Sequence, residues 1–100
     1  MIKFVQDKID DMKAQNVVTL DVSNKNTITD TLIICSGTSK RHVQAIAENV
    51  ALEAKSAGIF SHGVEGLDDG EWVLLDLGGV VLHVMQEQTR DFYQLEKLWG

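Results

Sequence analysis

The sequence has no proline and a single cysteine in 100 residues. Without proline, chain reversals must come from Gly, Asn, Asp and Ser, which reach positive φ or hydrogen-bond their own backbone. The lone Cys35 excludes an intramolecular disulfide framework and fits a reducing compartment. No run approaches the roughly 18 uninterrupted apolar residues of a membrane span. The opening MIKFVQDKIDDMK carries charges every few residues and has no apolar signal region. The expectation is a cytoplasmic protein with no membrane partner. Basic residues are scarce too, nine against fifteen acidic ones, for a formal charge of −6. Direct readout of nucleic acid needs clustered cations on phosphates, so this balance argues against it. An acidic protein can still join a ribonucleoprotein by docking on a basic protein within it.

What is present describes one folded domain over residues 1–100: 44% hydrophobic, 24% charged, with no repeat, linker or low-complexity tract. Ile2, Val5, Ile9 and Met12 recur at steps of three and four and predict an opening helix. VVTLDV alternates, with Val18, Leu20 and Val22 on one side, as a half-buried strand does. SNKNT at 23–27 is turn chemistry, and TLIICS at 31–36 reads as a more buried strand. Ser39 is placed to cap a helix whose stripe is Val43, Ile46, Ala47, Val50 and Ala54, with Gly58 at its end. IFSH is a candidate short strand and GLDDGE a loop. WVLLDL and VVLHVM are strands, and Thr89 is placed to cap a last helix. The order α-β-β-α-β-β-β-α predicts an α+β or mixed α/β fold, a mixed sheet of about five strands with helices on one face.

Gly78 and Gly79 form a two-residue hairpin loop between the last two strands. That loop sets the register: Asp76 opposite Val81, Leu75 opposite Leu82, Leu74 opposite His83, Val73 opposite Val84, Trp72 opposite Met85. One face is then wholly aliphatic, with Val73, Leu75, Leu77, Val80, Leu82 and Val84, and should lie under the helices. The other carries Trp72, Leu74, Asp76, Val81, His83 and Met85. A tryptophan beside Met and Leu, with one carboxylate and one imidazole, has the makeup of a protein-binding patch. The same pattern would suit a face covered by another helix of the chain.

RDFYQLEKLWG closes the sequence. Phe92, Leu95 and Trp99 follow i, i+3, i+7 and are expected to staple the final helix to the sheet. Tyr93 falls off that stripe and is free for the patch or its edge. Arg90 and Glu96 flank it, either as solvated charges or as rim contacts.

TDTLIICSGTSKRHVQAIAENV, VEGLDDGEWVLLDLGGVVLHVM and TRDFYQLEKLW stand in the order and spacing of the ribosomal silencing factor family, also called Iojap-like. The chain resembles that family from about Ile9 to Trp99. The resemblance implies a sheet-and-helix fold like that of the nucleotidyltransferases, without their catalytic carboxylates. It implies a non-enzymatic translational repressor that binds the large ribosomal subunit through ribosomal protein L-fourteen and blocks joining of the small subunit when nutrients are scarce. It implies no cofactor. Trp72, Leu74, Asp76, His83 and Met85 become the expected docking surface, with Arg90 and Tyr93 beside it. Asp76 and Glu65 are expected to complement basic residues of the partner. A homodimer of the free protein would hide the same face.

The competing chemistry is a nucleotide-binding or nucleotidyl-transferring enzyme on the same fold. Gly37-Thr38-Ser39 lies where a strand enters a helix, so its amides are candidates for a phosphate cradle. Transfer also needs paired carboxylates to hold a metal. Asp76 has no such partner nearby, and Asp69 and Glu71 lie in a loop. There is no Walker pattern. Cys35 with His42, His62 or His83 would make a thiol and base, but a cysteine within an apolar strand is expected to be buried and inert. The histidines show no zinc spacing.

Overall fold

In the computed structural model, which describes residues 1–23, 30–94 and 97, the elements follow the expected order. They are α1 (Ile2–Asp11), β1 (Gln15–Asp21), β2 (Thr31–Gly37), α2 (Lys40–Ser56), β3 (Gly63–Glu65), β4 (Trp72–Asp76), β5 (Val80–Gln86) and α3 (Glu87–Tyr93). Five strands form one mixed sheet in the order β1-β2-β5-β4-β3. β2 and β5 are parallel and central, and the other pairings are antiparallel. The parallel pair requires a crossover, which α2 with β3 and β4 supplies.

The caps of α2 are the ones its sequence predicts. Ser39 Oγ accepts from the His42 amide at 3.1 Å. At the far end Gly58 takes φ 78°, and the Ile59 amide returns to the Ala54 carbonyl at 2.8 Å. The predicted stripe of Val43, Ile46, Ala47, Val50 and Ala54 is buried. It packs with Val5 and Ile9 of α1 on Ile33, Cys35, Val73, Leu75, Leu82 and Val84 of the sheet. Gly37 permits the close approach of α2 to β2, because a Cβ there would sit 2.7 Å from Val43 Cγ2 and 2.9 Å from the Val43 amide nitrogen. His42 ties the helices together: its Nδ1 accepts from the Thr38 amide at 2.9 Å, which leaves Nε2 to donate to the Met12 carbonyl at 2.7 Å.

The hairpin register is as predicted, from Asp76 opposite Val81 to Trp72 opposite Met85. Gly78 has φ 87°, the sign that a type II′ turn needs at its first central residue. Asp76 Oδ1 accepts from the Gly78 amide at 2.8 Å, so this carboxylate is part of the turn.

Three expectations are corrected. IFSH is not a strand; the third strand begins immediately after it, at Gly63–Glu65, where Val64 pairs with Leu75. Thr89 does not cap α3, which begins at Glu87 after Gln86. Phe92 does not staple that helix to the sheet and is 81% exposed. Leu95, Glu96 and Trp99, and most of SNKNT, lie outside the described residues.

Candidate functional site

Pairing across the sheet assembles the face away from α1 and α2 in three rows. Leu20, Leu32, Val81 and Asp76 lie side by side in one, ending at Gly63. Val18, Ile34, His83, Leu74 and Glu65 form the next. Ser36, Met85 and Trp72 form the third. Side chains in register on adjacent strands share a face. So the expected docking residues of the sheet, Trp72, Leu74, Asp76, His83, Met85 and Glu65, do fall on one face.

Their accessibility differs. Glu65 is exposed, and Trp72, Leu74 and Asp76 are half-buried. Met85 is fully buried, packed with Ile34 and against Leu20 and Trp72. It supports the surface from below and does not present itself. The residues that complete the face, Val18, Leu20, Leu32 and Ile34, come from β1 and β2. The alternation of β1 was legible, but the side of the sheet it would face was not. Its apolar side turns away from α1 and α2, toward the face on which α3 sits, while Thr19 turns toward α1 and accepts from Gln6 at 3.1 Å.

Trp72 organises the centre. Its indole Nε1–H donates to His83 Nδ1 at 2.9 Å, with the ring centroids 5.9 Å apart. Burial pushes the His83 imidazole down to about 4, so it is neutral at physiological pH. Tyr93 of α3 packs on Trp72 with centroids 4.9 Å apart, and Phe92 meets Tyr93 edge-on at 5.0 Å. His83, Trp72, Tyr93 and Phe92 thus form an aromatic strip that runs off the sheet onto α3, exposed at its outer end.

Arg90 is not on this rim. It is 7% exposed and donates through Nη1 to Ser36 Oγ at 2.9 Å and to the Asn16 carbonyl. Hydrogen bonds from Ser36 and then Asn16, with the nearby Arg90 charge, hold the Glu87 carboxyl below its ordinary range. This cluster anchors α3 to the sheet and positions Tyr93 over Trp72.

The sites of the enzymatic alternative are otherwise engaged. The Thr38 amide is taken up by His42 and the His42 amide by Ser39, which removes donors from a phosphate cradle. Cys35 is buried and its thiol is pushed up to about 12 by desolvation, out of reach of the thiolate needed for nucleophilic chemistry. Among the described residues no three His, Cys, Asp or Glu side chains gather as a metal site. No described helix is long and apolar enough to cross a membrane. A separate apolar cleft of about 520 Å³ lies between the end of α2 and β3, lined by Ala51, Ile59, Phe60 and Val64.

Residues 1–100 match the family model described as "Ribosomal silencing factor during starvation". The chain is 43% identical over 100 residues to a ribosomal silencing factor of Haemophilus influenzae, covering all of this chain and 98% of that one. It is 35% identical over 89 residues to the mouse protein named mitochondrial assembly of ribosomal large subunit protein 1, covering 86% of this chain and 39% of the other. A crystal structure of a Chromobacterium violaceum protein superposes with a TM-score of 0.96 at 40% identity, covering 98% of this chain and 82% of that one.

Proposed function

The chain belongs to the ribosomal silencing factor family, and on that basis we propose that it is a non-enzymatic translational repressor acting on the ribosome in the cytoplasm. Its target is the large ribosomal subunit, reached through ribosomal protein L-fourteen. Bound there, it blocks the small subunit sterically and lowers translation when nutrients are limiting.

The observation that carries this reading is the half-buried aromatic and aliphatic face centred on Trp72, in a chain that matches the family over its whole length. Such a face has the composition of a protein interface: an aromatic anchor, aliphatic surroundings and few charges at the centre. Its charges are carboxylates, Asp76 in the outer row and Glu65 at the β3 edge. With an overall charge of −6, they favour a basic protein surface and disfavour bare phosphates. The large-subunit assignment is supported by the name of the mouse relative. The same face would close a homodimer when the protein is free.

The test is co-sedimentation with purified large and small subunits separately, followed by a reassociation assay. Binding to large subunits alone, with fewer joined ribosomes, is the expected result. Equal sedimentation with both subunits, or none with the large one, rejects it.

A further inference from the structure

Among the described residues, His83 has a hydrogen-bond partner at one ring nitrogen and none at the other. It is 7% exposed and lies in register between Ile34 and Leu74. Trp72 Nε1–H occupies Nδ1. An indole nitrogen only donates, so the neutral ring must accept at Nδ1 and carry its proton at Nε2. No described residue accepts from that Nε2–H. A buried donor left without an acceptor is costly, and native structures hold few of them.

We propose that His83 Nε2–H is the central polar contact of the docking face, donating to a main-chain carbonyl or carboxamide oxygen of the protein that covers it, with Trp72 as the positioning residue that selects the tautomer. This rests on the docking reading above. A neutral N–H amid aliphatic side chains complements a neutral oxygen. It rejects a surface that brings a lysine, an arginine or an amide N–H to the same point, where donor would meet donor. Phosphate oxygens are acceptors too, but Glu65 and Asp76 on the same face repel them.

The experiment measures equilibrium binding to large ribosomal subunits for the wild type, His83→Phe and His83→Gln. Phe keeps a ring of similar shape without a donor. Gln sets a carboxamide NH₂ near the place of Nε2. His83→Phe also removes the acceptor of the Trp72 indole, a loss that His83→Gln shares, so it should fold with a thermal midpoint near or below that of the wild type and bind roughly tenfold more weakly. His83→Gln should keep most of the affinity. A folded His83→Phe that binds like the wild type overturns the inference, and so does an equal loss in both variants, which would mean shape and not the donor. If His83→Phe does not fold, His83→Asn takes its place, because its shorter amide reaches the Nδ1 position only. Gln must then bind more tightly than Asn, and the reverse order or equality overturns the inference. In the free protein, long-range 1H–15N spectra should show the Nε2–H tautomer, and Trp72→Phe should lose that bias; an Nδ1–H tautomer in the wild type overturns it. Absence of wild-type binding rejects the ribosomal reading itself, whereas wild-type binding undiminished by His83→Phe rejects this contact alone.

Discussion

Arg90 and Ser36 are joined by a buried hydrogen bond, Nη1 to Oγ at 2.9 Å, that fastens α3 to β2. The same nitrogen donates to the Asn16 carbonyl, so one guanidinium holds α3, β2 and the start of β1. Arg90→Met should cost about 2–3 kcal/mol of stability, read from the denaturant midpoint, because it removes the charged donor that ties α3 to Ser36 and Asn16. Arg90→Lys should rescue little of it, since an ammonium lacks the planar fork. A variant as stable as the wild type would contradict the anchoring role.

Trp72 and Leu75 lie on one strand and face opposite sides of the sheet. Leu75→Ala opens a cavity beneath α2 and should cost roughly 2–5 kcal/mol of stability. Its effect on binding should only follow the unfolded fraction. Trp72→Ala removes a half-buried anchor and should weaken large-subunit binding by about 2 kcal/mol, or roughly thirtyfold, with a smaller effect on folding. Midpoints and affinities for both variants decide the matter. If Trp72→Ala unfolds the protein while Leu75→Ala is benign, the docking face is misassigned.

Stability should fall with acid partly through His83. Its folded value, about 4, lies below the ordinary 6.5. The neutral ring therefore favours the fold fully above pH 6.5. Below it the unfolded chain takes up a proton that the fold refuses. Stability is lost at up to about 1.4 kcal/mol per pH unit until pH approaches 4, on the order of 3 kcal/mol in all. His83→Gln should flatten the wild-type curve between pH 6.5 and 4. Parallel curves for the two proteins would count against a neutral, buried His83.

Cys35 should resist thiol reagents while the protein is folded. Its side chain is fully buried and its thiol is pushed up to about 12, so modification must wait for opening of the core. The labelling rate should rise with denaturant in step with unfolding. Fast labelling under native conditions would mean that β2 is not buried as described.

Local chemistry wrote much of this fold into the sequence. A two-residue Gly-Gly loop leaves the β4–β5 register little freedom, so the shared face of Trp72, Leu74, Asp76, His83 and Met85 was legible in the order of residues alone. The stripe and both caps of α2 were legible for the same reason, since each involves residues only a few positions apart. What lay beyond reach depends on contacts between distant segments. The parallel pairing of β2 with β5 brings Ile34 beside His83. The packing of Ile34 and Leu20 buries Met85, which the hairpin by itself would leave on the surface. The pairing of β1 decides that Val18 and Leu20 join the docking face instead of the helical core. Arg90 has the composition of a surface charge, and tertiary partners such as Ser36 and Asn16, brought to it from β2 and β1, make its burial tolerable. Periodicity and turn chemistry act over a few residues and were enough for elements and hairpin register. Which faces stay open, and which polar groups are satisfied inside, depends on tertiary pairing.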